Sequence, residues 1–465
     1  MLGMWMFLAA IILLLVGFPV AFSLGGVAVL FTLFGSDFLP QVVGLDLPWE
    51  PAFRYARLNI LPQRIYGNIM ANYTLVAVPF FVFMGVMLEK SGLAEELLET
   101  MGMLFGSLRG GLAISVVAVG ALLAASTGVV GASVVTMGVL ALPVMLKYNY
   151  DKGLATGVVA SSGTLGQIIP PSIVLVILGD QIGVSVGDLF LGSFIPGFML
   201  AALFMVWVII VAITRPDDAP ALPPEARTLR GSALGLKVLK NLIPPLFLIF
   251  LVLGTIFFGI ATPTEAGAMG AIGAMLLAAI NLRLNLANLI ATMDQTVKLT
   301  SMVFIILTGA TAFSMVFTAL HGDRVVQEFL MNLPGGFPGF VFFTMLVIFL
   351  LGFFIDFIEI TFIVVPLLTP IAAGYITEIY GAQMLQPMLV WFGVLIAMNL
   401  QASFLTPPFG FALFYLKGVA PPSIRTTDIY RGIVPFIIIQ LLAVLLIALF
   451  PQIVTWLPSV SSGGG

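Results

Sequence analysis

Apolar stretches long enough to cross a lipid bilayer recur from one end of this chain to the other, divided by short polar or helix-breaking segments. The pattern predicts an all-α polytopic membrane protein. Residues 4–34 are apolar except at Gly17-Phe18-Pro19, a break that predicts two short crossings rather than one kinked helix. Residues 35–72 carry acids, Arg54, Arg57, Arg64 and several prolines, and read as an extramembrane segment suited to the interface. Residues 73–88 form a span. The amphipathic piece at 89–100 sets Leu93, Leu97 and Leu98 on one face, with Glu89, Lys90, Glu95 and Glu96 on a solvated or interfacial one.

Residues 104–146 are too long for one crossing and are interrupted at Ala125-Ser126-Thr127-Gly128, at Gly131 and at Ser133. Basic flanks, Arg109 and Lys147/Lys152, put both ends on one side and predict a re-entrant helical hairpin. The next span, about 154–180, contains Ser161-Ser-Gly-Thr-Leu-Gly-Gln-Ile-Ile-Pro-Pro-Ser172, built from helix-breaking residues inside an apolar run. A counterpart, Met398-Asn-Leu-Gln-Ala-Ser-Phe-Leu-Thr-Pro-Pro-Phe-Gly410, interrupts the span at about 388–416. A second overlong segment, about 340–373, breaks around Gly352 and Asp356 and predicts a second re-entrant helical hairpin. Paired interruptions in the two halves of a membrane chain point to the substrate and ion site of a secondary transporter.

The order of features before residue 215 repeats after 240. Asp188, Gly192 and Pro196 follow the first motif much as Asp428, Gly432 and Pro435 follow the second. The expected division is a first repeat at 1–215, a cytoplasmic linker at 216–240 and a second repeat at 241–460, with 461–465 an appended flexible tail. With the Lys/Arg-rich linker inside, Lys147/Lys152, Arg283 and the 417–431 loop fall inside too. Loops 181–187 and 374–386, which lack Lys and Arg, fall outside. Equivalent loops thus carry opposite charge bias, as an inverted-topology repeat requires, and both termini face the exterior. Arg54, Arg57 and Arg64 fit this orientation poorly. The first apolar stretch lacks a basic flank and a small-residue cleavage pattern, and reads as a retained membrane helix.

Composition narrows the chemistry. The chain is 60% hydrophobic and 8% charged, with net charge −3, no block of like charge, no Cys and one His, His321. Disulfides, thiol catalysis, Cys-ligated metals and His-rich sites are excluded, and no nucleotide-binding or metalloprotease motif occurs. An enzyme is not expected. A membrane-embedded lipid enzyme and a channel are weaker readings than a transporter.

Unwound backbone at membrane depth needs protein, water or ions to satisfy it. Pro170 and Pro171 free carbonyls one turn earlier. Those carbonyls, with the hydroxyls of Ser126, Thr127, Ser161 and Thr164, make a hard-oxygen set suited to sodium. Half-helix N-termini there favour an anion. The polar side chains Ser133, Ser161, Ser162, Thr164, Ser172 and Asn399 are therefore candidates for substrate binding. Asp356 and Glu359 lie inside the second overlong segment, where a carboxylate at membrane centre costs about 3 kcal/mol. They read as a cation or proton site, or as solvated groups at a tip reaching water. Thr262-Pro263-Thr264-Glu265 has the form of a capping box.

Taken together, Gly163-Thr-Leu-Gly-Gln-Ile-Ile-Pro-Pro-Ser172, Thr262-Pro-Thr-Glu-Ala266, the Asp356 segment and Thr406-Pro-Pro408 resemble the large membrane subunit of tripartite ATP-independent periplasmic (TRAP) transporters. The resemblance covers essentially the whole chain. It implies an elevator mechanism in the bacterial inner membrane, sodium as coupling ion and no other cofactor. It also implies a small four-helix membrane partner and a periplasmic binding protein that delivers an organic acid. A first sodium site would use Ser126, Thr127 and Gly128 with the carbonyls of Gly166, Ile169 and Pro171. A second would use Gly352 and Asp356 with Gln401, Thr406 and Pro408. The first hairpin departs from the family, reading Ser126-Thr-Gly-Val-Val-Gly-Ala-Ser133 where many relatives have a compact Ser-Gly-Ser-Ser. The segment 35–72 resembles the branch linked with oxo-acids, mannitol or chloroaromatic acids. The alternative is a self-sufficient, ion-coupled anion symporter of related fold that needs no binding protein.

Overall fold

Helix ends in this protein are set by glycine, by proline and by a few polar caps such as Asp151, Ser185 and Thr262. Gly17, at φ +91°, closes the first helix in a conformation that side chains disfavour, and Pro19 caps the second. The expected pair of short helices at 4–34 is what forms.

The computed structural model describes residues 2–45, 50–127, 130–227, 229, 231–407 and 410–462. The first helices are α1 (Leu2–Val16), α2 (Val20–Gly35), α3 (Leu61–Ile65), α4 (Ala77–Lys90) and α5 (Leu93–Phe105). Then come α6 (Gly111–Thr127), α7 (Val130–Lys147), α8 (Lys152–Thr164), α9 (Ile173–Ile182) and α10 (Val186–Thr214). After the linker follow α11 (Gly231–Phe257), α12 (Pro263–Ile280), α13 (Leu286–Ala319), α14 (Gly322–Met331) and α15 (Gly336–Leu351). The chain ends with α16 (Phe357–Ile363), α17 (Val365–Tyr380), α18 (Leu385–Phe404), α19 (Phe411–Val419), α20 (Thr426–Leu449) and α21 (Gln452–Ser462). Among the described residues the only extended pairing is one isolated bridge, Ser36 with Phe53. Among the described residues seven helices are long and apolar enough to cross a membrane, or nine if the bent pairs α4–α5 and α16–α17 each count as one span. The protein is an all-α, multi-pass membrane protein.

Several boundaries move from the sequence expectation. The first hairpin starts at Gly111 rather than 104, because the turn at 106–110 closes α5 with Leu108 N–H on the Phe105 carbonyl. The irregular part of the linker ends at 230, and Lys237 and Lys240 ride on α11, where Lys237 pairs with Glu99 at 3.0 Å. That linker is stitched down. Asp218 and Ala219 carbonyls accept from the amides of Asp151 and Gly110, and Leu222 N–H donates to Gly106. The closing apolar run is α20, and α21 is a further helix beyond it.

Two compact units emerge, and each draws on both halves of the sequence. One comprises 1–75 and 298–385; the other comprises 76–297 and 386–465. Residues 111–147, 152–182 and 386–419 lie in the second unit, and 336–380 in the first.

Within the second unit, α8 and α20 cross with their backbones almost touching. A Cβ on Gly432 would overlap the Gly153 carbonyl, and a Cβ on Gly157 would overlap Gly432 and meet Phe436 at 2.8 Å. Gly153 and Gly157 form a G-x-x-x-G pair, the small-residue spacing that lets membrane helices approach closely. Amphipathic α5 buries Leu93, Leu97 and Leu98 and exposes Glu95 and Glu96, as its pattern predicts. Glu89 departs from that face. It is half-buried and accepts from the Thr136 hydroxyl at 2.8 Å, while its second oxygen is buried without a partner.

Candidate functional site

The Ser161–Ser172 motif unwinds as its residues require. Helix α8, capped by Asp151 accepting from Leu154 N–H at 2.8 Å, runs to Thr164 and tightens into a 3-10 turn at Leu165–Gln167. It then breaks until α9. An α-helix would bring the nitrogens of Pro170 and Pro171 to the carbonyls of Gly166 and Gln167, but neither proline carries a hydrogen. The Ser172 hydroxyl serves the Gln167 carbonyl instead, at 2.7 Å. Among the described residues nothing donates to the carbonyls of Gly166, Ile169 or Pro171. These three oxygens, expected as sodium ligands, share one buried break.

The second motif breaks in the same way. Helix α18 ends at Phe404, Thr406 N–H turns onto the Ser403 carbonyl at 3.0 Å, and Gly410 N–H closes onto Thr406 at 3.1 Å before α19. The two breaks meet. Gln401 Nε2 donates to the Thr164 hydroxyl oxygen at 3.4 Å. The hairpin α6–α7 packs on the first break, where Gly120 faces Ser162 and Gly163 faces Val134 so tightly that a methyl on either glycine would collide.

The hydroxyls share an orientation. Ser161, Ser162 and Thr164 donate to the carbonyls of Val158, Val159 and Ser161, at 3.2, 3.1 and 2.9 Å. Ser403 and Thr406 donate to Leu400 and Ala402, at 2.7 and 2.8 Å. Each hydrogen is thus turned onto the residue's own segment, which leaves lone pairs, suited to a cation, on the free side. Ser133 and Asn399 are buried and already engaged.

Gly128 and Pro408 are outside the described residues, and the side chains of Ser126 and Thr127 are not described. Gly352 and Asp356 belong to the other unit from Gln401 and Thr406. Asp356 and Glu359 form a reciprocal capping box on α16: Asp356 Oδ1 accepts from Phe357 N–H at 2.7 Å, and Glu359 Oε2 accepts from Asp356 N–H at 3.2 Å. Thr262 and Glu265 form the capping box their spacing predicts. A cavity of about 360 Å³ lies where α5, α6 and α7 meet the linker, lined by Leu98, Met103, Val144 and Leu222 and by none of the expected sodium- or substrate-binding residues.

Two glutamines escaped the sequence reading. Gln167, in the first break, and Gln440, midway along α20, are both fully buried with neither amide end hydrogen-bonded. The Gln401 carbonyl oxygen is unpartnered too. Gln440 had a visible signal, being a lone polar residue in the apolar run 433–450.

Comparison with known proteins follows this geometry. Residues 7–453 match the family model described as the tripartite ATP-independent periplasmic transporter, DctM component. The chain is similar to the C4-dicarboxylate TRAP transporter large permease protein DctM of Vibrio cholerae, at 29% identity over 98% of both chains. It is also 30% identical to the ectoine TRAP transporter large permease protein TeaC of Halomonas elongata, over 96% of each. In fold it resembles the crystal structure of the Alcanivorax borkumensis YdaH transporter, with a TM-score of 0.61 at 14% identity over 96% of this chain and 98% of that one.

Proposed function

This chain belongs to the DctM component family of tripartite ATP-independent periplasmic transporters, and on that basis we propose that it imports a small organic acid by coupling its movement to sodium. The family is one of transporter permeases rather than enzymes. A periplasmic binding protein delivers the acid, and a small membrane subunit completes the complex. Both termini face the periplasm, the sequence halves are inverted repeats, and alternating access is of the elevator kind.

One observation carries the reading: the carbonyls of Gly166, Ile169 and Pro171 have no donor in a buried break joined to the second motif through Gln401 and Thr164. Bare carbonyls and outward lone pairs without a cationic side chain suit a hard monovalent cation. Sodium bound there would offset the charge of a carboxylate arriving beside it. The relatives that share the family are named for anionic or zwitterionic solutes, C4-dicarboxylates and ectoine among them.

The test is solute uptake by proteoliposomes carrying this chain and its small partner, with and without the binding protein and an inward sodium gradient. Uptake requiring all components is expected. Uptake indifferent to sodium defeats the coupling, and uptake by this chain alone establishes a self-sufficient symporter.

A further inference from the structure

Helix register brings the two overlooked glutamines to the level where both Pro-Pro helices break. Along α20, Gly432, Phe436 and Gln440 recur once per turn on one face. Gly432 meets Gly153 and Gly157 of α8, and Phe436 meets Gly157, so the two helices run parallel. One further turn sets Gln440 level with Ser161–Thr164. The other end agrees. Trp391 of α18 donates to the Ile447 carbonyl at 2.8 Å, and Gln401 on the same helix reaches Thr164, so α18 runs antiparallel and carries Gln401 to the height of Gln440.

The hydrogen-bond inventory at this level is lopsided. The hydroxyls of Ser161, Ser162, Thr164, Ser172, Ser403 and Thr406 all donate to backbone carbonyls. Gln401 Nε2 is taken by Thr164. Among the described residues no Lys, Arg or His is buried. Among the described side chains of these helix segments, the donors left without an acceptor are the Nε2 groups of Gln167 and Gln440. Burying a carboxamide with both ends unmet costs free energy that a ligand would restore.

We propose that Gln167 and Gln440 hold the carboxylate of the transported acid, donating through Nε2–H, so that the anion is bound by neutral amides rather than by an arginine or lysine. This rests on the reading that the cargo is a small carboxylate. Neutral donors fit a symporter, because a fixed positive charge at the same level would repel the coupling cation.

The test is thermal unfolding of the purified membrane complex in sodium chloride, with lactate, pyruvate, succinate or 2-oxoglutarate titrated in. The variants are Gln167→Met, Gln440→Met and Gln440→Glu. Without acid, the two Met variants should melt no lower than wild type, since each replaces an unpartnered buried amide by an apolar group of similar shape. The acid needed for half-maximal stabilisation should rise about tenfold or more, as loss of a hydrogen bond to a charged group predicts. Gln440→Glu, which sets like charge against the anion, should lose the response altogether. The sodium response should stay within about twofold of wild type in the Met variants, since the carbonyls of Gly166, Ile169 and Pro171 are untouched. Met variants that bind the acid like wild type, melt lower without it, or lose both responses together overturn the inference and assign the glutamines a packing role. A wild-type complex that responds to sodium but to none of the acids defeats the carboxylate reading itself.

Discussion

Gly432 of α20 and Gly153 of α8 leave no room for a methyl group between them, because a Cβ on Gly432 would overlap the Gly153 carbonyl oxygen. The obstacle is backbone, which cannot step aside as a side chain can. Gly432→Ala should therefore destabilise by about 1–3 kcal/mol or more, the usual cost of overpacking. Gly153→Ala should cost less, since its Cβ would crowd the Asp151 carboxylate at 2.9 Å but stand in ordinary contact with the Gly432 backbone, at 3.5 Å. Thermal melts of both variants check the order.

Across the two breaks, Gln401 and Thr164 are joined by one long hydrogen bond, 3.4 Å, in a fully buried setting. A double-mutant cycle with Gln401→Met and Thr164→Val should give a coupling of about 0.5–1 kcal/mol, toward the weak end for a neutral bond. Additive effects would mean that the breaks are held together by packing alone.

Asp151 accepts from Leu154 N–H and so caps the helix that leads into the first break. Asp151→Ala should lower stability by about 1 kcal/mol, and Asp151→Ser should recover most of it. Chemical or thermal unfolding reads both.

Tyr150 lies between α7 and α8, outside the spans, and its buried phenol is pushed up to about 12 by desolvation, with the backbone of Leu112 and Ala113 opposing. A tyrosine in the unfolded chain titrates near 10. The folded state therefore holds its proton more tightly. Stability is intact below about pH 10 and falls as pH rises toward 12, by about 2–3 kcal/mol in total. Tyr150→Phe should abolish that alkaline loss.

Features that break a helix were legible in the sequence, and features that pair helices were not. Gly17-Phe18-Pro19, the two Pro-Pro motifs and the Thr262–Glu265 cap each act through local backbone chemistry, and each formed where its residues stand. Helix α5 was readable because it has a polar side. Helices α18 and α20 are apolar nearly all round and α8 is buried on every side from Leu154 to Thr164, so periodicity says nothing about which face meets which neighbour. The Gly153/Gly157 crossing against Gly432 and the bond from Gln401 to Thr164 depend on that missing information. Asp356 and Glu359 make a capping box that their three-residue spacing already spelled, a local role the sequence reading did not assign them.

The stitched linker bears on how the protein can be handled. Three main-chain bonds fix 218–222 against the ends of the first hairpin, so this segment works as a fitted strap rather than a slack tether. An affinity tag or protease site inserted there would pry the strap off or stay hidden from the protease. After Ala226, past the last of those bonds, an insertion would leave the strap in place and be cut readily.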